Sequence, residues 1–189
     1  MTSYVQLAYV VDFDGTITGN DITLILANEY AGAAASQIYR RYWQGEIGIK
    51  GWLEEMVSYF PADQEQMLSI ACEVVDFRPG FAQFIRFTCD AGSPLYIASD
   101  GFGFYMKPIL ERHGFIKYID GVYGNRLVIG SDDSVTIEMP YAHQTCDHCS
   151  NCKSAHVVGL KGEGSQVVYI GNGLNDRFGA THADLIFAR

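Results

Sequence analysis

The sequence predicts an α/β fold in which a doubly wound, mostly parallel sheet carries a small helical insertion after its first strand. Two observations predict this class. Short apolar segments alternate with segments of helical periodicity after residue 78, and residues 21–78 contain no segment of strand character. Alternating strands and helices are typical of a parallel sheet covered on both faces. At 189 residues the chain is long enough for one domain with a modest insertion.

The first part of the chain predicts one strand and a run of helices. Residues 4–12 are predominantly apolar without alternation, as buried parallel strands are. Residues 21–78 place apolar side chains at intervals of three and four, and Pro61 with an Asp63…Gln66 pair is typical of a helix start. This stretch could cover the carboxyl ends of the strands, where ligands bind in doubly wound sheets.

The second part predicts the remaining elements of the sheet and its covering helices. A helix over residues 78–92 is expected to end at Gly92, and a helix over residues 103–114 contains Pro108, which would kink it or mark a late start. The other predicted elements are a buried strand over residues 93–99, a β-hairpin over residues 121–140, and two core strands over residues 165–173 and 183–189.

Composition and charge exclude several classes of partner. The formal net charge of −9 argues against nucleic acid and anionic membrane surfaces as partners. No apolar stretch approaches the roughly 20 residues that cross a bilayer, and the N-terminus lacks a basic region typical of signal peptides. With five cysteines, an odd number, reduced thiols and a cytoplasmic location are expected. An anionic ligand would need locally focused positive charge.

Two carboxylates, Asp12 and Asp14, follow the first apolar segment in the motif DFDGT. Side chains two apart on a strand point to the same side, so both could face one site while Phe13 enters the core. Carboxylates this close repel each other unless a cation or proton lies between them, and Mg²⁺ is a suitable cation. The alternative is that both aspartates are turn formers at a strand end.

Three later strand ends carry further polar side chains. Ser99 follows the second strand in YIASDG, and Lys153 precedes a predicted helix in NCKSAH. After the third strand, the segment GNGLND contains Asn172, Asn175 and Asp176. Each of these features alone is better explained as a helix cap, a surface lysine or a glycine-rich turn. Together with DFDGT they indicate one shared site at the edge of the sheet.

These four motifs, in this order, resemble those of the haloacid dehalogenase-like hydrolase superfamily, in its phosphoserine phosphatase-like branch. The resemblance covers almost the whole chain. It implies a Rossmannoid catalytic core formed by residues 1–16 and 79–189 and a helical cap domain formed by residues 17–78. It also implies a Mg²⁺-dependent phosphatase that acts on a small phosphorylated metabolite through a phosphoaspartate intermediate.

The resemblance further implies roles for individual residues. Asp12 would be the nucleophile and Asp14 the general acid and base. Ser99 and Lys153 would complete the catalytic set and bind the phosphoryl oxygens, together with Asp100 and Gly101. The Mg²⁺ site would comprise Asp12, the backbone carbonyl of Asp14, Asn172 and Asp176.

The subgroup prediction rests on the cysteine-rich segment that leads to Lys153 and on the hairpin before it. Both resemble the methionine-salvage subgroup, which dephosphorylates a hydroxy-keto-methylthiopentenyl phosphate. Phosphatases of phosphoserine, phosphocholine, phosphoethanolamine or pyridoxal phosphate are the alternatives. The oligomeric state is not predicted.

One residue departs from the superfamily pattern. Asn172 stands where an aspartate usually ligates the metal directly, and an amide oxygen ligates Mg²⁺ without a full charge. Weaker metal binding is therefore one hypothesis, and a catalytically weakened phosphometabolite-binding protein is the alternative function.

The segment CDHCSNCK presents a second cluster of chemically active residues. Cys146, Cys149 and Cys152, with His148, could bind a structural Zn²⁺, and His143 also lies nearby. Plain reduced thiols or an oxidisable pair are the alternatives, as is a cysteine-based module in which the phosphatase site is vestigial.

A basic and aromatic stretch, residues 39–43 (YRRYW), lies on one predicted helix of the cap. Most of it is expected to be a solvated helix face with an aromatic edge. One arginine could still reach a carboxylate on the substrate.

Overall fold

The structure is a computed structural model that describes residues 6–188. Within that range six strands form one sheet in the order β4-β3-β2-β1-β5-β6. The strands are β1 (Leu7–Val11), β2 (Leu95–Phe102), β3 (Gly121–Ile129), β4 (Val135–Glu138), β5 (Gln166–Gly171) and β6 (Leu185–Ala188). Residues 4 and 5 of the predicted first strand and residue 189 of the last lie outside the described range.

α-Helices connect these strands. They are α1 (Ile22–Ala31), α2 (Ala33–Trp43), α3 (Ile49–Val57), α4 (Gln64–Val74), α5 (Phe81–Asp90), α6 (Gly103–Arg112), α7 (Lys153–Gly162) and α8 (Asp176–Ala180). None of the helices within residues 6–188 is long and apolar enough to span a membrane. Pro108 lies inside α6 rather than at its start.

The pairing of the strands confirms the predicted doubly wound fold. β1 is central and pairs in parallel with β2 on one side and β5 on the other. β3 and β4 form the predicted antiparallel hairpin, while β3 also joins the main sheet by pairing in parallel with β2. The carboxyl ends of β1, β2 and β5 therefore meet at one edge of the sheet.

β2 is longer than predicted. The sequence predicts that this strand ends at Ser99, but the strand continues to Phe102, with an irregular register between Ala98 and Phe102. The side chain of Phe102 is fully buried. The polar Ser-Asp-Gly segment alone indicates that the strand ends there. The strand instead continues because the apolar Phe102 that follows is buried in the core.

Helices α1 to α4, here called the helical block, lie between β1 and β2 in the chain. Two of them begin at the aspartates expected of helix caps: Asp21 accepts a hydrogen bond from the Leu24 amide at 2.8 Å, and Asp63 accepts one from the Gln66 amide at 2.9 Å. The block packs around apolar side chains that are almost completely buried, which include Leu26, Leu53, Met56 and Met67. This burial stabilises helices whose length alone would leave them marginal.

The two segments that join the helical block to the sheet pair with each other. Thr18 and Phe77 form an antiparallel bridge, and the Arg78 amide donates to the Ile17 carbonyl at 2.9 Å. The Arg78 guanidinium also donates to the carbonyls of Gly15 and Gly19, both at 3.1 Å. The entry and exit of the block are thereby held together beside the end of β1.

Candidate active site

A cavity of about 500 Å³ lies between the carboxyl ends of the strands and the helical block. The sheet side contributes all the residues that the sequence predicts for the site, namely Asp12, Asp14, Ser99, Asp100, Gly101, Lys153, Asn172 and Asp176. The helical block contributes mainly apolar and aromatic side chains. The structure thus brings the four motifs together at one cavity. The helical block forms the wall of this cavity that faces them.

Lys153 is the centre of the charged part of this cavity. Its Nζ lies 2.8 Å from Asp12 Oδ1 and 2.5 Å from Asp176 Oδ1, and its side chain is only 4% exposed. Burial alone would lower the pKa of Lys153, but the surrounding carboxylates, Asp12 foremost, hold it well above its ordinary value. The lysine is therefore a permanently charged, buried cation in an otherwise acidic protein.

Asp12 lies at the end of β1 with one carboxylate oxygen on Lys153. Its other oxygen, Oδ2, accepts a long hydrogen bond of 3.4 Å from the Thr16 hydroxyl. Burial raises the pKa of Asp12 to about 7; the charge of Lys153 opposes that rise and Asp176 adds to it. A cation near Oδ2 would stabilise the charged form of this carboxylate.

The backbone turns sharply after Asp12 and gives Asp14 different surroundings. Phe13 is fully buried in the core, as the spacing predicts, and Gly15 adopts φ = +74°. A Cβ atom on Gly15 would lie 2.6 Å from the amide nitrogen of Asn172. Both the positive φ and this close approach require glycine at this position.

The Asp14 carboxylate faces the start of the helical block. Oδ1 accepts from the Ile22 amide at 3.0 Å, and Oδ2 accepts from the hydroxyls of Tyr105 and, at 3.3 Å, Thr23. Burial, followed by the charge of Asp21, raises the pKa of Asp14 well above its ordinary value, against the effect of these donors. A raised pKa favours the protonated form of this carboxyl, and a protonated carboxyl can donate its proton to another group.

Ser99 and Gly101 lie on β2, the strand that pairs with β1 and therefore neighbours Asp12. The Ser99 hydroxyl accepts a hydrogen bond from the Gly101 amide at 3.0 Å and is almost completely buried. A Cβ atom on Gly101 would overlap the Asp14 carboxylate and the Tyr105 hydroxyl. Glycine is therefore required where β2 passes Asp14.

Asp100 holds the loop that leads to Lys153. Its Oδ1 accepts from the Ser150 hydroxyl at 2.6 Å and from the Asn151 amide at 3.2 Å, and Oδ2 accepts from the Asn175 side chain at 3.3 Å. Oδ2 also lies 3.8 Å from Lys153 Nζ. The Asp100 side chain therefore positions neighbouring loops, and its negative charge makes it unsuited to direct contact with a phosphate.

The sequence analysis missed two residues that support the site, Ser150 and Asn151. The Asn151 side chain donates to the carbonyls of Ser99, at 2.9 Å, and Tyr123, at 3.0 Å, while its oxygen lies 2.8 Å from His156 Nε2. Both residues are almost completely buried. Their only signal in the sequence is their place between Cys149 and Lys153, which does not distinguish them from an ordinary turn.

Asp176 begins α8 and has hydrogen bonds to both carboxylate oxygens. Besides Lys153, Oδ1 accepts from Tyr169 at 2.6 Å, and Oδ2 accepts from the amides of Asn172 and Gly173 at 3.0 and 2.7 Å. Burial would raise the pKa of Asp176, but Lys153 and these donors lower it below its ordinary value. The carboxylate therefore orders both Lys153 and the glycine-rich loop.

An oxygen-rich corner lies beside Asp12. The Thr16 hydroxyl donates to Asn172 Oδ1 at 2.9 Å and also contacts Asp12 Oδ2. Both acceptor oxygens therefore lie beside the same hydroxyl. Carboxylate, amide and carbonyl oxygens are the ligands that Mg²⁺ prefers. The donor set thus fits a magnesium ion, with one amide in place of a carboxylate.

The alternative zinc site is not supported. Among residues 6–188 no group of three or more His, Cys, Asp or Glu side chains is arranged to bind a metal ion. Backbone amides of Cys149 and His148 lower the pKa of Cys146, whereas burial raises that of Cys149 to about 12. The His148 ring packs edge-on against Phe178 at 5.6 Å instead of joining the thiols. Cys152 completes the expected ligand set and is likewise a free thiol.

The basic and the aromatic side chains of residues 39–43 lie in different surroundings. Arg41 Nη1 donates to both carboxylate oxygens of Glu55, at 2.9 and 2.7 Å, and neither Arg41 nor Arg40 lines the cavity. The three aromatic residues of the stretch do line it, namely Tyr39, Tyr42 and Trp43. The sequence left open that one arginine could reach a carboxylate on the substrate; in the structure the rings of the stretch line the cavity and its two arginines do not.

We expect His156 to make the folded protein sensitive to acid. Burial, aided by the charge of Lys153, lowers the pKa of His156 to about 4, while an unfolded histidine titrates near 6.5. The unfolded state therefore binds a proton first as the pH falls from 6.5 to 4, and stability decreases through that window by up to about 3 kcal/mol.

Denaturant unfolding of the wild type and His156→Gln at pH 7 and pH 4.5 measures this effect. The loss of stability between the two pH values should be smaller for the variant. His182→Gln, at an exposed histidine, is the matched control and should behave as the wild type does. Equal losses in the wild type and His156→Gln would contradict the prediction.

Comparisons with known proteins show the family of the chain. The family described as Putative Phosphatase matches residues 7–189. A 2-hydroxy-3-keto-5-methylthiopentenyl-1-phosphate phosphatase from Bacillus pumilus (strain SAFR-032) is 32% identical and aligns over 94% of this chain and 77% of the relative. The protein of the same name from Bacillus cereus (strain ATCC 10987 / NRS 248) is 28% identical over 94% of this chain and 81% of its own length.

Solved structures confirm the fold. A phosphoserine phosphatase with a phospho-aspartyl intermediate analogue superimposes with a TM-score of 0.76 at 22% identity, over 98% of this chain and 87% of the other. A substrate-bound phosphoserine phosphatase complex gives a TM-score of 0.72 at 21% identity, over 98% and 86%. Because the family match spans nearly all of the sequence, the chain belongs to the Putative Phosphatase family of phosphomonoester hydrolases, within the haloacid dehalogenase-like superfamily that its motifs predict.

Proposed function

We propose that this chain is a Mg²⁺-dependent phosphatase that hydrolyses a phosphomonoester of a small metabolite through an aspartyl-phosphate on Asp12. One observation carries the proposal: the buried Lys153 ammonium joins Asp12 to Asp176 at the floor of a cavity large enough for a metabolite. A permanent cation beside a buried carboxylate supplies the positive charge that a phosphate dianion needs in a protein of net charge −9.

The first step forms the covalent intermediate. A carboxylate oxygen of Asp12 attacks the phosphorus, the bond from phosphorus to the ester oxygen breaks, and Asp14 donates its proton to the departing alcohol. Tyr105 and Thr23 hold the Asp14 carboxyl in place through their hydroxyls. In the second step Asp14 takes a proton from a water that attacks the phosphorus, and the bond to Asp12 breaks to release phosphate.

Positive charge and hydrogen-bond donors stabilise both steps. Lys153 Nζ and the Ser99 hydroxyl contact phosphoryl oxygens, and the Asp100–Gly101 backbone lines the same edge. Asp176 and Asp100 orient Lys153 and its loop. When bound, Mg²⁺ would neutralise charge between Asp12 and the phosphate. It would be held by the Asp12 carboxylate, the Asp14 carbonyl and the Asn172 amide oxygen, with Asp176 ordering the loop that carries Asn172.

Replacing Asn172 by aspartate should strengthen Mg²⁺ binding. The new carboxylate would add a full negative charge beside Asp12 Oδ2, at the oxygen that Thr16 already contacts. We expect the Kd for Mg²⁺ to fall by about tenfold, which corresponds to roughly 1.4 kcal/mol. Calorimetric titration measures the change, with Asn175→Asp as a control in the same loop. An unchanged Kd for Asn172→Asp would mean that residue 172 is not a ligand.

The domain division predicted from the sequence is part of the proposal. Residues 17–78 would act as the cap that closes the site, and residues 1–16 with 79–189 would form the catalytic core. The paired segments around Thr18 and Phe77 support this division, since they are the two backbone connections between the parts. The helical block also supplies one wall of the cavity.

The substrate class is inferred from the relatives. Because proteins named 2-hydroxy-3-keto-5-methylthiopentenyl-1-phosphate phosphatase align with nearly all of this chain, that ester is the first candidate substrate. Phosphoserine, phosphocholine, phosphoethanolamine and pyridoxal phosphate are the alternatives. A cytoplasmic location stays a prediction. The presence of Asn172 also favours a second candidate function, a weakened enzyme that mainly binds a phosphometabolite.

Phosphate release from this panel of esters, with Mg²⁺ and with a chelator, tests the proposal. Turnover that requires Mg²⁺ and favours one ester at least tenfold would support the enzyme. Turnover that ignores the chelator would contradict the role of Mg²⁺. Tight binding of the esters without any turnover would favour the second candidate.

A further inference from the structure

Residues 146–152, here called the cysteine loop, carry two thiols that are in direct contact. The Cys149 thiol donates a hydrogen bond to the Cys146 sulfur, and the backbone amides of Cys149 and His148 donate to the same sulfur. Cys146 is partly exposed, whereas Cys149 is buried, and both are free thiols. The pair therefore combines an accessible sulfur with a buried partner that already points at it.

The surroundings of the two thiols make them chemically unequal. The donors around Cys146, foremost the Cys149 amide, lower the pKa of its thiol. The thiolate is the reactive form in exchange with a disulfide, so Cys146 is the sulfur that reacts first. Burial raises the pKa of Cys149 to about 12, so this thiol keeps its proton until Cys146 has reacted. An accessible thiol of lowered pKa next to a second thiol is typical of redox-sensitive cysteines.

Cys152, the third thiol of the loop, is held by the start of α7. Its carbonyl accepts from the Ala155 amide at 2.9 Å, and its amide donates to the Tyr141 carbonyl at 2.8 Å. The contact between sulfur atoms joins Cys146 to Cys149. These two residues, rather than Cys152, are therefore placed to form a disulfide.

His148 connects the cysteine loop to the helical block and lies between the two thiols in sequence. Its carbonyl accepts from the Lys50 amide at 3.1 Å. A Cβ atom on Gly48 would lie only 2.8 Å from His148 Cα. The start of α3 therefore packs closely on the part of the loop that a disulfide would enclose.

The residues directly after Cys149 hold the active site together. The Ser150 hydroxyl and the Asn151 amide donate to Asp100 Oδ1 at 2.6 and 3.2 Å. Lys153 follows Cys149 by four residues. A disulfide requires two sulfur atoms about 2.05 Å apart, which is much closer than two hydrogen-bonded thiols. Closing this bond must therefore move the loop between the helical block and Lys153.

We propose that Cys146 and Cys149 are a modification site at which a small disulfide, such as glutathione disulfide, produces a reversible intramolecular disulfide, and that this bond lowers phosphatase activity. The effect on activity rests on the proposed function, since it requires that Lys153 serves catalysis.

The reaction is a pair of thiol–disulfide exchanges. The Cys146 thiolate attacks one sulfur of the small disulfide, the bond between its two sulfur atoms breaks, and one small thiolate departs. The Cys149 sulfur then attacks the Cys146 sulfur and displaces the second small thiolate. The protons of the two protein thiols go to the two small thiolates. The protein pair is thereby oxidised and the small disulfide is reduced to two thiols.

Mass spectrometry of the holoenzyme, equilibrated with glutathione disulfide in the presence of Mg²⁺, tests the modification site. We expect the loss of two hydrogen atoms, a peptide link between Cys146 and Cys149, and reversal by dithiothreitol. Cys146→Ser should not form this link, and Cys152→Ser should form it as the wild type does. A stable mixed disulfide on Cys146, a link to Cys152, or no reaction would overturn the assignment.

Activity measurements test the consequence of the disulfide. Oxidation of the wild type should lower kcat/KM at least tenfold, since a misplacement of about 1 Å can lower a rate about 10²-fold. Dithiothreitol should restore it. Cys146→Ser should keep its activity in the oxidising buffer, and Cys89→Ser, at an exposed cysteine of α5, should lose activity as the wild type does. Unchanged activity of protein that carries the mapped disulfide would contradict the proposed effect.

Hydrogen exchange separates this inference from the proposed function. The Lys50 and Asn151 amides, bonded to His148 and Asp100, should exchange at least tenfold faster after oxidation. If no ester is turned over but the disulfide forms and exchange accelerates, the proposed function fails, and the modification site and its effect on the loop stand. If esters are hydrolysed with Mg²⁺ but the disulfide does not form, the proposed function stands and this inference fails.

Discussion

Asp12→Asn is expected to lower phosphate release by about 10⁴-fold or more. An amide oxygen is a poor nucleophile, so the bond to phosphorus does not form. The substitution keeps the size of the side chain, and its oxygen can still accept from Lys153 at the observed 2.8 Å. Wild-type enzyme quenched in acid during turnover with an isotopically labelled ester should retain label on the protein, and the variant should retain none.

Asp21→Asn is the matched control for this experiment. Asp21 also lines the cavity and carries a carboxylate, but it does not react with the ester and affects the chemistry only through its charge beside Asp14. Its side chain caps α1 through the Leu24 amide, and asparagine is an equally good helix cap. The control should keep activity within a few-fold of the wild type. If Asp12→Asn retained more than about one hundredth of the activity, covalent catalysis by Asp12 would be wrong.

The parts of the site that lie on regular elements could be predicted from the sequence. Asp12 and Asp14 follow an apolar strand, and parallel strands bring their carboxyl ends together, so the neighbourhood of Lys153 follows from the topology. The Asp63 cap and the hairpin before the cysteines are local patterns with a local cause. In each case the signal lies within a few residues of the feature it predicts.

The parts that depend on distant contacts could not be predicted. Helical spacing places Tyr39 and Arg40 on adjacent positions of α2, and only the packing of α3 decides which of them faces the cavity. The role of Asn151 depends on the carbonyls of Ser99 and Tyr123, which are 52 and 28 residues away in sequence. The zinc hypothesis lacks support for the same reason. The spacing of the cysteines does not reveal that the His148 ring packs against Phe178.

Lys153→Met is expected to damage both catalysis and stability. Loss of a charged donor to the phosphoryl group should lower kcat/KM by about 10² to 10³-fold. It would also leave the buried carboxylates of Asp12 and Asp176 facing each other without a cation, and removing one partner of a buried ion pair costs about 3 to 5 kcal/mol. Denaturant unfolding without Mg²⁺ should show this destabilisation.

The variant Lys161→Met is the control that distinguishes the effect of burying an ion pair from the effect of removing a positive charge. Lys161 pairs with Asp184 at a similarly short distance, 2.7 Å, but its side chain is 39% exposed. Water already solvates both partners of such a pair, so their separation should cost much less than that of the buried pair and leave activity unchanged. Mg²⁺ should recover part of the stability lost in Lys153→Met, since a divalent cation beside Asp12 replaces some of the missing charge. Equal destabilisation of the two variants would mean that Lys153 does not act as the buried counter-ion of this site.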